Sequence, residues 1–247
     1  MVSLGDFAPQ AQAYAARPGY PAAALDRMIA RAGVREGDRV ADVGAGTGIF
    51  TILLAARGLV VDAIDPSDAM RAQAPAHPAV TWRRGTFEAT GLADGAVRWV
   101  TAAQAFHWAD PPRALPELHR ILHPGGHLSC VWNDRRDQDS PVLAAVMDVI
   151  RREAPEFDER YRDHDWRSVL LGGGWFEDVH ADVTEHVVTM TRDRFRALWR
   201  SHNHLAETAG PARLPRVLAA IDALTDAMEH VDVPYATRAW TVRAAIR

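Results

Sequence analysis

The run Val40-Ala41-Asp42-Val43-Gly44-Ala45-Gly46-Thr47-Gly48-Ile49-Phe50 couples an apolar strand to three glycines at alternate positions and then to an amphipathic helix. Glycine lets the backbone turn tightly and lets a ligand approach it closely. The helix expected over 48–57 carries Phe50, Leu53 and Leu54 on one face, the spacing of a packed helix. The next apolar run, 60–65, reads as a second strand and ends in Asp65, 21 residues beyond Gly44. A carboxylate at that strand end can accept hydrogen bonds from both hydroxyls of a ribose lying across the sheet edge. The plainer alternative is a surface aspartate that caps the next helix. The glycines differ from the dinucleotide signature Gly-x-Gly-x-x-Gly, whose third glycine falls one residue later than Gly48.

Outward from this run, strands and helices alternate. Residues 39–43, 60–65, 80–83, 97–103 and 126–132 read as strands, rich in Val, Ile and Leu or bounded by Gly and Pro. A helix over 111–122 opens on proline and stops before Pro124-Gly125-Gly126. Another helix, 22–32, follows the turn Arg17-Pro18-Gly19-Tyr20-Pro21. Strands joined through helical crossovers run parallel, so the class is α/β, a doubly wound, mostly parallel sheet with helices on both faces. Beyond 132 a helix at 141–153 precedes a strand (176–188), two helices (192–201 and 214–229) and a last strand (233–242). That order predicts a helical insertion before the final strand and an antiparallel edge.

Composition removes several chemistries. All 28 basic side chains are arginine, so a Schiff-base lysine, a Walker A loop and a kinase-type nucleotide lysine are excluded. Cys130 stands alone, which excludes an internal disulfide, a cysteine-cluster zinc site and an iron–sulfur cluster. Residues 1–130 carry 12 Arg and 12 acids, and 131–247 carry 16 Arg and 20 acids. Neither half has the positive excess that a nucleic-acid backbone demands. No apolar run approaches the roughly 18 residues of a membrane span, and no secretory signal is legible at the start. A cytoplasmic protein with no nucleic-acid or membrane partner is the expectation.

The Asp-x-Gly-x-Gly-x-Gly form at Asp42 to Gly48, with Asp65 after the second strand, resembles the class I S-adenosylmethionine-dependent methyltransferases. Leu118-His119-Arg120-Ile121-Leu122-His123-Pro124-Gly125-Gly126 is similar to that superfamily before its fifth strand. Ala102-Ala103-Gln104-Ala105-Phe106-His107-Trp108 resembles a small-molecule branch that includes trans-aconitate methyltransferase-like proteins. The resemblance covers most of the chain. It implies a Rossmann-like fold and one domain over 1–247: an N-terminal lid and helix (1–36), a cofactor-binding core (37–132), and acceptor-side helices with closing strands (133–247).

The same resemblance implies S-adenosyl-L-methionine as cofactor, with Gly44, Ala45 and Gly46 against its amino-acid part and Asp42 organising the loop or receiving the ammonium indirectly. Asp65 would hold the ribose, and Pro66 and Met70 would wall the adenosine, although Met70 serves equally well as core filler. Thr86 and Phe87 stand where the family often has Asp-Ala, and would serve the adenine through a hydroxyl and a backbone N–H. Tyr14 and Arg17 match a Tyr-x-x-Arg-Pro lid, in which an arginine fork suits a carboxylate. Gln104 ends the fourth strand, at the mouth of the sheet.

His107 is the catalytic candidate, as a base for a hydroxyl or amine acceptor or as an orienting group for a carboxylate, which needs no base. Trp108, Trp132, Asn133 and Arg135 are acceptor-pocket candidates, with Trp199 of the insertion as a further wall. His119 and His123, four apart, and His127 read as solvated histidines and not as a zinc site, and Cys130 as a buried thiol. A dinucleotide-dependent oxidoreductase, or a cyclase or sensor that binds the cofactor without transferring methyl, are the competing readings.

Overall fold

Alternate residues of the central strands face opposite cores, which is why those strands are apolar almost throughout. The computed structural model describes residues 17–158 and 163–246. Its sheet has seven strands in the order β3-β2-β1-β4-β5-β7-β6: β1 (Arg39–Val43), β2 (Val60–Ile64), β3 (Val80–Arg83), β4 (Val97–Ala103), β5 (Leu122–Arg135), β6 (Phe176–Thr191) and β7 (His230–Ala244). The first five pair in parallel. β7 runs antiparallel between β5 and β6, which supplies the expected antiparallel edge.

On one face α1 (Ala22–Ala32) and α2 (Ile49–Ala55) bury Leu25, Met28, Phe50 and Leu54 against Val40, Val61, Trp99 and Val131. On the other, α4 (Pro111–Ile121) and α6 (Trp166–Leu171) bury Leu115, Leu118, Ile121, Trp166 and Leu170 against Val100, Leu128, Cys130 and Trp132. A third core joins α5 (Pro141–Glu153), α7 (Arg192–Arg200) and α8 (Asn203–Leu224) to Met190, Val231, Val233 and Tyr235 of the long antiparallel pair. Truncating a fully buried leucine such as Leu118 to alanine costs about 2–5 kcal/mol. Buried Asp62 accepts from Arg39 Nε and Arg83 Nε, each at 2.7 Å, and so ties β1, β2 and β3 together.

The strands and helices of 22–121 fall within a residue or two of their expected ends. Three differences have local causes. β5 continues to Arg135, beyond the expected end at Trp132, because β7 offers a partner down to the Arg135–Tyr235 pair; Asn133 and Arg135 are therefore strand residues, not residues after a strand. α8 begins at Asn203, not at 214, and bends at Gly210 (φ 65°, ψ 175°) before Pro211. The short helices α3 (Asp68–Ala72) and α6 were not expected; Ser67 and Asp165 cap them by accepting from Met70 N–H and Ser168 N–H. Among the described residues no helix is long and apolar enough to cross a membrane.

Candidate active site

The strand order reverses between β1 and β4, and ligands of open α/β sheets bind at the carboxyl ends of the strands flanking such a point. Here β1 ends in the glycine loop. Gly44 has φ +72°, and a Cβ on it would lie 2.6 Å from Ala105 Cβ, so only glycine fits this turn against the end of β4. The Gly44 and Ala45 N–H groups both donate to the Ile64 carbonyl (2.8 and 3.0 Å), which folds the loop over the end of β2. Beneath it Asp42 is buried and accepts from Thr51 Oγ1 at 2.6 Å and Thr101 Oγ1 at 2.8 Å. Burial pushes its pKa up to about 6 against the pull of those two hydroxyls, and the charge of Asp65 adds to the rise.

β4 ends in Gln104, a non-glycine residue at φ +53°. Its amide donates to the Asn133 carbonyl at 3.2 Å, and its buried Oε1 has no partner among the described residues. The single turn Phe106–Trp108 follows. Phe106 anchors it in the core, leaving His107 and Trp108 on the cavity wall. Burial, then the charges of Arg17, His164 and His204, drive the His107 pKa down to about 3, so its imidazole is neutral at physiological pH. Its Nδ1 accepts from the indole N–H of Trp132 at 3.3 Å.

One cavity joins these groups to a second set. Arg17, Pro18 and Tyr20 line it, together with Arg135, Leu198, His202, Asn203, His204 and Tyr235. The N-terminal turn is strapped down at two points: Asn133 Nδ2 donates to the Gly19 carbonyl at 3.2 Å, and an Arg17 guanidinium N–H donates to the Ser201 carbonyl at 3.0 Å. Tyr20 packs edge-on against Phe50 at 4.9 Å. The Arg135 side chain is 8% exposed, lies 4.4 Å over the Trp199 ring and is 3.7 Å from Asp137. Asn203 Oδ1 is buried without a partner among the described residues.

Of the residues expected at the site, Arg17, Asp42, Gly44, Ala45, Gly46, Gln104, His107, Trp108, Asn133 and Arg135 line this cavity. Trp132 and Trp199 do not; each is 1% exposed, and Trp132 reaches the cavity only through its N–H on His107. Asp65, Pro66, Met70, Thr86 and Phe87 also lie off it. The Asp65 carboxylate is drawn into the loops, accepting from Gly46 N–H and Ser67 N–H at 2.8 Å each, and burial raises its pKa. Met70 is buried. Thr86 Oγ1 accepts from Glu88 N–H at 3.2 Å, and the Phe87 ring packs edge-on against Phe106 at 5.5 Å. Tyr14 lies outside the described residues. His202, Asn203, His204 and Tyr235 were missed; the only hint is the polar run His202-Asn203-His204 between two helical stretches.

The remaining histidines correct one expectation. His119 is not solvated: its Nε2 lies 2.9 Å from the Ala245 carbonyl and its ring packs by Trp175 and Phe176. His123 belongs to β5, so the two do not share a helix face. No metal-holding cluster occurs among the described residues. Cys130 is buried, and burial pushes its thiol pKa up, which makes it inert.

The switch-point cavity, the glycine loop and the 3-2-1-4-5-7-6 sheet define a methyltransferase of the class I, Rossmann-like type, and the chain belongs to that S-adenosylmethionine-dependent family. A family profile described as a methyltransferase domain matches residues 41–130. An uncharacterized methyltransferase of Mycobacterium tuberculosis is 37% identical over 227 residues, spanning 84% of this chain and 90% of the relative. A solved protein from Anaeromyxobacter dehalogenans, assigned as a type II methyltransferase, superposes with a TM-score of 0.69 at 26% identity, covering 92% of this chain and 97% of that one. A Haemonchus contortus phosphoethanolamine N-methyltransferase, solved with phosphomonomethylethanolamine and S-adenosylhomocysteine, has the same fold at a TM-score of 0.57 and 15% identity, covering 100% of this chain and 61% of its own. Methyltransferase membership displaces the oxidoreductase alternative.

Proposed function

We propose that this chain transfers a methyl group from S-adenosyl-L-methionine to a small-molecule acceptor in a single domain spanning 1–247. The observation that carries the reading is that one cavity is lined both by the glycine loop with Gln104 and by Arg135, Asn203 and Tyr235, which would let a methyl donor and an acceptor meet in one cleft. When bound, the donor supplies a methyl carbon already activated by sulfonium. The protein's work is then alignment and exclusion of water.

The residues fit that donor. Gln104 Oε1 is a buried, unused acceptor, suited to the methionyl ammonium with the Asp42 carboxylate close to the same loop. Arg17 is the fork for the methionyl carboxylate, and Gly44, Ala45 and Gly46 permit close backbone approach. Asp65 keeps its assignment to the ribose, and Pro66, Met70, Thr86 and Phe87 theirs to the adenosine end, as expectations from the family likeness.

On the acceptor side, Arg135 held over Trp199 favours an acidic group, in keeping with the likeness of Ala102 to Trp108 to the trans-aconitate methyltransferase-like branch. Hydroxyl and amine acceptors are the wider class. Incubation with S-adenosyl-L-methionine and a panel of carboxylic acids, phenols and amines, followed by mass spectrometry, tests the proposal. The expected result is S-adenosylhomocysteine with a product heavier by one methylene. Binding of the donor without conversion on any acceptor would instead support the cyclase or sensor reading.

A further inference from the structure

The hydrogen bond between Trp132 and His107 fixes more than a ring position. An indole nitrogen can only donate. Trp132 Nε1 is 3.3 Å from His107 Nδ1, so Nδ1 must be the ring nitrogen without a proton. Trp132 cannot readily turn away: it is 1% exposed, stacked on Trp166 at 4.3 Å with planes 19° apart and edge-on to Trp240 at 5.6 Å. Trp108 packs on the His107 ring from the same turn at 5.1 Å. A neutral imidazole carries one N–H, and with Nδ1 accepting, that proton belongs to Nε2. Among the described residues, Arg17, His164 and His204 face the ring electrostatically, and all three oppose a second proton.

We infer that Trp132 is a positioning residue which locks His107 as its Nε2–H tautomer, so that His107 meets the acceptor as a hydrogen-bond donor and not as a base. The role toward an acceptor rests on the methyl-transfer reading above; the tautomer does not. The acceptor class that suits a donor histidine is an oxygen already free of its proton, such as a carboxylate or an ionised phenol or enol. The reaction then balances without His107: the oxygen–methyl bond forms as the sulfur–methyl bond breaks, the electron pair stays on sulfur, and the two opposite charges cancel. An amine or a neutral alcohol would need another group to take its proton.

Long-range proton–nitrogen NMR correlation on the 15N-labelled full chain reads the tautomer directly, with His107 assigned by its loss in His107→Gln. The expected result is a single Nε2–H pattern, with Nδ1 at the shift of an unprotonated nitrogen, unchanged between about pH 8 and about pH 6. In folded Trp132→Phe the pattern averages between the two tautomers. An Nδ1–H or imidazolium pattern in the wild type overturns the inference, as does a wild-type pattern persisting in Trp132→Phe. Should Trp132→Phe not fold, the wild-type spectrum decides alone. No acceptor is present, so a failure of the methyl-transfer assay leaves this result readable, and the reverse holds.

Discussion

Asp42→Asn tests the electrostatics beneath the glycine loop in depth. Asp42 is 1% exposed, and burial lifts its pKa from 3.8 to about 6 despite the hydroxyls of Thr51 and Thr101. Between those two values the folded chain binds a proton that the unfolded chain does not. Stability from this group is therefore fully present below 3.8 and is lost as pH rises through 6. A shift of about 2 units corresponds to about 3 kcal/mol, of which about 2 kcal/mol is recovered between about pH 7.5 and about pH 4.5. Asparagine has the same shape and no charge, so the variant lacks this dependence. Denaturant unfolding of both proteins at the two pH values gives the comparison, and titration of groups not coupled to Asp42 cancels in the difference. Relative to Asp42→Asn, the wild type should gain about 2 kcal/mol on acidification. A difference that stays constant, or that moves toward the variant, would refute the raised pKa.

Three further outcomes follow from the site. Affinity for S-adenosylhomocysteine should weaken as pH falls below about 6, because protonated Asp42 no longer attracts a ligand ammonium; flat calorimetric affinities from about pH 7.5 to about pH 5 would count against Asp42 at that position. Gly44→Ala places a Cβ 2.6 Å from Ala105 Cβ at φ +72°, so a loss of at least about 1–2 kcal/mol and a lower melting temperature are expected, with weakened cofactor binding; wild-type melting would show that the turn relaxes. Arg135→Gln should raise the KM of an acidic acceptor with S-adenosylhomocysteine affinity retained, and equal loss of both would argue that the damage is to packing over Trp199.

The part of the fold from 22 to 121 was legible because its signals are local. The apolar run of β1, the glycines and α2 are contiguous, and the expected helix over 22–32 matches α1 to the residue. The part of the cavity lining contributed by the later chain is not local. His202, Asn203 and His204 reach the cavity because α7 and α8 pack in one core with Val231, Val233 and Tyr235 of β7, and Tyr235 arrives through a strand pairing about a hundred residues away from Arg135. Gly210, Pro211 and Pro215 read as helix breakers, yet packing of Leu205, Val217 and Ile221 into one core carries α8 past them. Asp65 shows a different limit. Its position in sequence suggested a ribose ligand, but a carboxylate beside loop N–H groups accepts from Gly46 and Ser67, which spacing does not reveal.

The left-handed backbone at Gln104 has a consequence for anyone reshaping this protein. A non-glycine residue at φ +53° carries on the order of 1 kcal/mol of strain that glycine would not. A library screened only for heat tolerance would be drawn to glycine at 104, and its winners would lack the one buried carbonyl oxygen left unused at the end of β4. If the proposed role of Gln104 toward the donor holds, robustness and ligand capture are in opposition at that single residue, and a useful screen must select for both at once.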